Sequence, residues 1–233
     1  MQTLGRAFAD ALELLWSMDS ALLEIVGLTL QVTLVALTIA LLIGIPIGAA
    51  IGLARRLPGR AFLVPLIYTG MGLPPVVVGL FTYLLLSNQG PIGGLGWLFT
   101  PAGMIMAQTI IAFPLVLGLT MAAVQSVDPD LPIQMRALGA TRRQVALTTL
   151  VESRIGVTAA VVAAYGSIIS EVGAVMLVGG NIEGETRVLT TAIVLETRKG
   201  NFALALALGI ILLGLAFLTN LVFHRLQVRQ GGP

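Results

Sequence analysis

Five stretches of almost uninterrupted apolar sequence dominate this chain of 233 residues. Each is long enough to supply the roughly 20 residues that an α-helix needs to cross a bilayer core of about 30 Å. Because the stretches are continuously apolar and do not alternate with polar residues, they predict helices and not the strands of a membrane barrel. We expect the spans at 22–53, 61–86, 102–124, 155–178 and 202–223.

Composition supports the same fold class. The chain is 57% hydrophobic and 10% charged, with a mean hydropathy of +0.98, which exceeds what a soluble domain needs to fill its core. The sequence therefore predicts an all-α, polytopic membrane protein with about five transmembrane helices, folded as one domain over 1–233. The chain contains no cysteine, which excludes disulfides and thiolate metal sites.

The distribution of Lys and Arg predicts how the chain is oriented. Alternating spans place nine of the 13 on one side, namely Arg55, Arg56, Arg60, Arg136, Arg142, Arg143, Arg154, Arg225 and Arg229. The other side receives Arg6, Arg187, Arg198 and Lys199. The positive-inside rule then puts the N-terminus outside and the C-terminus in the cytoplasm. This bias accounts for the sequence pI of about 9.5 without a nucleic-acid partner.

Residues 1–20 lack the basic start of a cleavable signal peptide. Apolar side chains recur there at helical spacing, at Phe8, Leu12, Leu15 and Trp16. The segment predicts a short helix lying in the outer membrane interface.

Small residues and prolines mark special points within the spans. Gly44, Gly48 and Gly52 recur every four residues, a spacing that lets helix backbones approach closely, either within the chain or at a subunit interface. Pro74-Pro75 follows two glycines, so the second span is expected to bend or unwind there. Pro46 and Pro114 predict similar bends in the first and third spans.

Several kinds of chemistry are missing from the sequence. No Gly-rich loop ends in Gly-Lys-Ser/Thr, so the chain has no recognisable nucleotide site of its own. The one histidine, His224, lies at the cytoplasmic end of the last span and completes neither a metal site nor a catalytic triad. We expect no enzyme and no cofactor in this chain.

A basic loop at 127–153 separates the third and fourth spans. It predicts one helical stretch from Ile133 to Leu138, a turn at Gly139, and a second stretch from Arg142 to Val151. A passive connector needs only a handful of residues, so this loop indicates a docking surface on the cytoplasmic face.

Within that loop, the run Met135, Arg136, Ala137, Leu138, Gly139, Ala140 and Thr141 resembles the coupling loop of ABC-importer permeases. The family pattern is Glu-Ala-Ala, three residues, Gly, nine residues, Ile, one residue, Leu-Pro, and Gly139 holds its glycine. Ile133, Gln134 and Met135 replace the Glu-Ala-Ala, while Thr149, Val151 and Glu152 stand in for Ile, Leu and Pro.

Two further regions resemble the molybdate, tungstate and sulfate branch of these permeases. The first is the Leu-Pro-Pro-Val-Val-Val-Gly-Leu run at 73–80. The second comprises Ser-Glu-Val-Gly-Ala at 170–174, Gly-Gly-Asn-Ile at 179–182 and Thr-Arg-Val-Leu-Thr-Thr-Ala-Ile at 186–193, and it is most similar to tungstate permeases.

The resemblance implies a type I ABC-importer permease fold in a bacterial or archaeal cytoplasmic membrane. It implies a second copy of the chain, a cytoplasmic ATPase dimer that binds ATP and Mg²⁺, an extracytoplasmic oxyanion-binding protein, and contact with membrane lipid. The cargo would be a tetrahedral oxyanion, tungstate in the first place, with molybdate or sulfate as alternatives. The expected pathway and gate residues are Pro74, Pro75, Ser170, Glu171, Asn181, Thr190 and Thr191.

Glu171 is the one carboxylate deep in an expected span, where an unpaired charge is costly. It is either a structural residue, bonded to backbone amides or to a serine such as Ser167, or an element of a gate. Direct binding of an oxyanion is disfavoured because like charges repel. Thr190, Thr191 and Asn181 are better donors for an anion, or else they cap a helix at 188–196.

Two rival functions remain open. An ion-coupled secondary transporter or channel would need no ATPase and would act alone in an ion gradient. A scaffold subunit of a larger membrane enzyme would need no substrate pathway.

Overall fold

The computed structural model describes residues 20–54 and 58–230, together with residues 9, 12, 13 and 16. For residues 21, 224 and 226–230 only the backbone is described. The expected N-terminal interfacial helix falls largely outside this set, as do Phe8, Leu15, Arg6, Arg55 and Arg56. Leu12 and Trp16 are helical and exposed. That helix stays a prediction.

The described residues form helices and no strands, which confirms the all-α class. The helices are α1 (Ser20–Leu53), α2 (Arg60–Met71), α3 (Pro75–Leu86), α4 (Pro101–Gln125), α5 (Leu131–Ala137), α6 (Arg142–Glu152), α7 (Arg154–Ile169), α8 (Gly173–Gly179), α9 (Leu189–Arg198) and α10 (Phe202–Gln230).

Three described helices are long and apolar enough to cross a membrane alone, over Leu22–Leu53, Pro101–Gln125 and Phe202–Phe223. They confirm the first, third and fifth expected spans. The interrupted pairs α2 with α3, and α6 with α7, raise the number of candidate spans to as many as five.

The second expected span is interrupted where the double proline predicted it. α2 ends at Met71, and Pro74 adopts an extended conformation with ψ of 123° before α3 begins at Pro75. Proline at the first helical position is favourable, because its missing N–H would lack a partner there anyway.

The bends expected at Pro46 and Pro114 stay predictions. Neither proline ends its helix, since α1 runs through Pro46 and α4 runs through Pro114 without a break. A single proline removes one backbone donor, and the many remaining bonds of a long apolar helix hold the chain on either side.

The expectation of one continuous helix over the fourth span, 155–178, was wrong. α7 ends at Ile169, and Ser170–Val172 leaves the helix before α8 starts at Gly173. The carboxylate oxygen Oε1 of Glu171 accepts the backbone N–H of Ala174 at 2.9 Å. This bond satisfies one of the amides that a helix start leaves without a partner, so it favours a new helix here over a continuous one.

The described chain groups into two compact units. The first contains the residues up to Ala36, Pro74–Gln108 and Ile168–Asn220. Its buried apolar clusters comprise Leu22, Leu189, Ala192 and Leu208, and Val32, Met104, Val175 and Val188. The second unit contains Leu37–Leu73, Thr109–Ser167 and the residues from Leu221 onward, around Ile51, Ile67, Leu117 and Met121. One domain over 1–233 stays a prediction.

The glycine repeat of α1 packs within the chain. A Cβ placed on Gly44 would lie 2.8 Å from Cγ1 of Val116, and one on Gly48 would lie 2.5 Å from the carbonyl oxygen of Leu117. Both neighbours belong to α4. The repeat therefore brings the backbones of α1 and α4 together inside the second unit, which is the first of its two interpretations.

Candidate functional site

The expected coupling segment, Met135 to Thr141, contains the last turn of α5 and the residues that end this helix. The N–H of Ala140 donates to the carbonyl of Met135 at 2.9 Å, and the N–H of Gly139 donates to that of Arg136 at 3.0 Å. Gly139 adopts a φ of +85°. These two bonds and the left-handed glycine form a Schellman motif, which satisfies the last carbonyls of α5 and turns the chain out of it.

The next helix begins with a capping box. The N–H of Thr141 donates to Oε1 of Gln144 at 2.8 Å, and the N–H of Gln144 donates to Oγ1 of Thr141 at 3.3 Å. Each residue thus satisfies an amide of the other. The two helical stretches expected in the loop and the turn at Gly139 are confirmed.

α5 presents most of its surface outward. Within this helix, which is described throughout, no side chain is buried, and Leu138 at its end is 88% exposed. Arg136 and Ala137 are also exposed, whereas Met135 and Ala140 are half-buried. Ile133 of the same helix is 63% exposed, so α5 and the residue that follows it present two large apolar side chains that are available to contact another protein.

Two clefts border α5. One of about 300 Å³ includes Ile133 and Arg136 together with Thr149 of α6. The other, of about 610 Å³, includes Gln134 and Glu152. The helix is therefore accessible along its sides as well as at Leu138.

The second group of expected site residues surrounds the break between α7 and α8. Glu171 is 9% exposed and bonds through Oε1 to the amide of Ala174, as the structural interpretation expected. The hydroxyl of Thr190 donates to the backbone carbonyl of Glu171 at 2.8 Å. The structure thus brings Glu171 and Thr190 together, and it places Ser170 beside them as an exposed residue.

The hydroxyl of Thr191 is used locally. It donates to the carbonyl of Val188 at 3.1 Å and accepts the N–H of the same residue at 3.2 Å. Thr191 is fully buried and Thr190 is 5% exposed. Both hydroxyl protons are therefore committed to backbone carbonyls, as the helix-capping alternative expected for Thr191.

The double proline lies close to the same break. α3, which starts at Pro75, packs against α8. A Cβ on Gly79 would lie 2.6 Å from Cα of Ala174, and one on Gly173 would lie 2.8 Å from Cγ2 of Val76. The start of α3 and the start of α8 are thus in direct contact.

Asn181 belongs to the loop after α8 and not to the break. Its φ is +54°, a left-handed conformation that asparagine tolerates better than most residues, and its Oδ1 is buried without a hydrogen-bond partner. A buried polar atom without a partner is costly, which makes this position unusual.

Sequence reasoning missed two polar residues that support this region. Gln108 is 4% exposed and donates through Nε2 to the carbonyl of Ile168 at 3.1 Å. Thr29 accepts the N–H of Leu189, the first residue of α9, at 2.9 Å. A lone amide inside an apolar span was the available signal for Gln108; nothing in the local sequence indicated that Thr29 would bond to α9.

A charged cluster lies at the end of α9. Glu196 accepts hydrogen bonds from Nζ of Lys199 at 2.9 Å and from Nδ2 of Asn201 at 3.1 Å. The Lys199 bond is the main influence that lowers the pKa of Glu196, and it outweighs the opposing effect of burial. Glu196 therefore stays ionised where its burial would otherwise disfavour charge.

The fold is that of an ABC-importer permease. The permease of the inward-facing MetNI methionine ABC transporter matches with a TM-score of 0.74 at 18% identity, covering 92% of this chain and 100% of that one. A bacterial ABC transporter that imports the acidic polysaccharide alginate matches with a TM-score of 0.75 at 20% identity, covering 97% and 84%.

Sequence comparison identifies the family. Residues 44–231 match the family described as binding-protein-dependent transport system inner membrane component, and this chain belongs to it. The tungstate uptake system permease protein TupB of Peptoclostridium acidaminophilum is 38% identical over 97% of this chain and 99% of its own length. A probable anion ABC transporter permease protein of Haloferax volcanii is 46% identical over 75% and 77%. The molybdenum transport system permease protein ModB of Escherichia coli strain K12 is 32% identical over 71% and 76%. The chain is thus a permease component of a transporter and not an enzyme.

Proposed function

We propose that this permease imports a tetrahedral oxyanion, tungstate in the first place, with molybdate or sulfate as alternatives. The observation that carries the proposal is the match to a tungstate permease along almost the full length of both chains. Relatives described as molybdenum and sulfate permeases, at 32% and 30% identity over smaller shares of the chain, support the alternatives.

The proposed transporter divides its work among several subunits. Two copies of this chain form the pathway, an extracytoplasmic protein binds and delivers the oxyanion, and an ATPase dimer that binds ATP and Mg²⁺ drives the change between inward-facing and outward-facing states. Moving a two-state equilibrium from 1:99 to 99:1 needs about 5.5 kcal/mol of differential binding. A weakly held anion that must be released could not supply that amount, whereas a nucleotide-driven partner could.

The proposed contact with the ATPase is the segment from Met135 to Thr141. The Schellman motif at Gly139 and the capping box at Thr141 fix the turn at its C-terminal end, and Leu138 supplies an exposed apolar side chain for a pocket on the partner. This defined turn connects α5 directly to α6, so a displacement of α5 would be passed on to α6.

The proposed outer gate comprises Pro74 and Pro75 at the start of α3, the break at Ser170 and Glu171, and Asn181, Thr190 and Thr191. The hydroxyls of Thr190 and Thr191 already donate to backbone carbonyls, and Glu171 would repel an anion. These residues therefore suit a gate better than a high-affinity oxyanion site.

The proposed topology places the N-terminus outside and the C-terminus in the cytoplasm. The chain has no cysteine, so a single introduced thiol can be labelled without background. A thiol at exposed Gln144 should react only from the cytoplasm and one at exposed Glu183 only from outside. Labelling of both from the same side would contradict this topology.

Reconstitution tests the function itself. The chain should be reconstituted with the proposed ATPase and the proposed binding protein in vesicles preloaded with ATP. Tungstate-loaded binding protein should support uptake above molybdate and sulfate. Uptake by the chain alone in a proton or sodium gradient would instead favour a secondary transporter. Copurification with a catalytic subunit lacking nucleotide-binding motifs would favour a scaffold subunit of a larger membrane enzyme.

A further inference from the structure

The amphipathic helix α6 leaves a row of two large apolar side chains on its exposed side. Its buried face carries Val145 and Thr149. Its exposed face carries Leu147 and Val151, which are 52% and 58% exposed. Ile155, just beyond the end of α6 and inside α7, is 56% exposed. Three large exposed apolar side chains so close together in the sequence are unfavourable in water, so this stripe indicates a nonaqueous neighbour.

The angle between α6 and α7 suggests what that neighbour is. α7 has 16 residues and is strongly apolar, and its length of about 24 Å at the rise of an α-helix covers most of a bilayer core of about 30 Å. α6 is bent by 65° from it at Ser153. If α7 runs across the bilayer, α6 is inclined toward the plane of the membrane surface. An amphipathic helix in that orientation places an apolar face among lipid chains.

The charges around the stripe fit the headgroup layer. Arg142 and Arg143 are exposed in the first turn of α6, and Arg143 precedes Leu147 by four residues, which extends the same row. Exposed Arg154 begins α7. The planar guanidinium of arginine matches the geometry of a phosphate and can donate two hydrogen bonds to it. Basic residues beside an inserted apolar face are also attracted by the negative charge of anionic lipids.

We propose that α6 is an interfacial helix that binds anionic phospholipid. Leu147, Val151 and Ile155 insert into the leaflet, and Arg142 and Arg143 bind lipid phosphates. The capping box at the start of α6 joins it directly to the turn that ends α5. The lipid surface therefore anchors one end of the exposed segment proposed to couple to the ATPase. This binding does not depend on which oxyanion is carried.

Site-directed spin labelling tests the insertion. Leu147→Cys and Val151→Cys are labelled in the full chain in nanodiscs of phosphatidylcholine and phosphatidylglycerol, with Glu152→Cys as the control on the same helix. Labels at 147 and 151 should collide readily with oxygen, which concentrates in lipid, and poorly with a water-soluble nickel chelate. The label at exposed Glu152 should show the opposite preference. Labels at 147 and 151 that favour nickel, or that are shielded from both reagents by a second copy or an ATPase, would overturn the proposal.

A second measurement tests the headgroup preference. Association of spin-labelled phosphatidylglycerol with the chain should exceed that of spin-labelled phosphatidylcholine. It should fall about fivefold for each arginine removed in Arg142→Gln and Arg143→Gln. The matched variant Arg198→Gln, an exposed arginine on α9, should leave it unchanged. Equal association of the two lipids with the unaltered chain would overturn the assignment to anionic lipid.

Discussion

The hydroxyl of Thr190 donates a 2.8 Å hydrogen bond to the backbone carbonyl of Glu171, nineteen residues earlier in the chain. The side chain of Glu171 bonds to the amide of Ala174 on the other side of the break. The break between α7 and α8 is therefore held both by its own carboxylate and by α9. A displacement of α9 would act on the start of α8 through this pair.

Replacing Thr190 by valine should weaken this connection. Valine keeps the shape of the side chain and leaves the Glu171 carbonyl without its donor, which costs about 1–3 kcal/mol for a buried group. We expect a lower unfolding temperature of the purified permease and slower uptake. Thr190→Ser restores the donor and should recover both. A tight oxyanion site in the isolated permease that Thr190→Val abolishes would instead reject delivery by a separate binding protein.

Glu171→Gln should separate the charge of Glu171 from its capping role. The amide oxygen of glutamine can still accept the N–H of Ala174, so the permease should fold and assemble normally. Uptake should change, because the gate region loses its negative charge, while the oxyanion affinity of the binding protein stays the same. Glu171→Ala, which removes both functions, should also reduce thermal stability. Failure of Glu171→Gln to assemble would favour a purely structural role.

The sequence was sufficient to predict structure where the residues that determine it lie close together in the chain. Gly139 predicted the turn between the two helical stretches of the loop, and the structure adds the capping box of Thr141 and Gln144 just after it. The proline pair likewise predicted the interruption before α3. The interruption of the fourth span was not predicted, because its apolar residues continue through Val178 and hydropathy does not reveal that Glu171 caps a second helix.

The sequence did not predict which residues far apart in the chain contact each other. Thr29 bonds to a residue 160 positions away, and Gln108 to one 60 positions away. Such pairs depend on which helix faces become neighbours, and a single sequence of apolar spans specifies those faces weakly. The glycine repeat predicted close packing, but only the structure identified α4 as its partner.

Gly48→Ala should destabilise the second unit. The added methyl would lie 2.5 Å from the Leu117 carbonyl oxygen, a backbone atom that cannot rotate away, so α1 and α4 must separate. Overpacking of this kind costs about 1–3 kcal/mol. Gly27→Ala is a matched control in the same helix, since nothing lies within 4 Å of its added methyl. We expect a lower unfolding temperature for the first variant only; an unfolding temperature raised equally in both variants would show that the higher helix propensity of alanine outweighs the clash.

The charge of Glu196 should make stability depend on pH. Its pKa in the folded chain is lowered from the ordinary value of 4.5, mainly by the hydrogen bond from Lys199. A lowered folded pKa contributes stability above the unfolded value, and this contribution is lost as the pH falls through the folded pKa. Glu196→Gln should therefore be less stable than the unaltered chain at neutral pH, with the difference shrinking in acid. Exposed Glu185→Gln is the control and should show no such difference at neutral pH. A stability difference for Glu196→Gln that does not change with pH would contradict the role of its charge.

Variants at Gly139 and Leu138 should distinguish the effect of the coupling segment's shape from the effect of its contact with the ATPase. At a φ of +85° a β-branched residue is strained by about 1–2 kcal/mol, although nothing lies within 4 Å of an added Cβ. Gly139→Val should therefore distort the turn and uncouple ATP hydrolysis from uptake, while Gly139→Asn, which tolerates this conformation, should retain most activity.

Leu138→Asp changes an 88% exposed side chain, so the permease should insert normally but bind the ATPase weakly. Crosslinking from Ala137→Cys to a thiol in the ATPase cleft should depend on nucleotide. Full uptake by Leu138→Asp would contradict coupling through this segment.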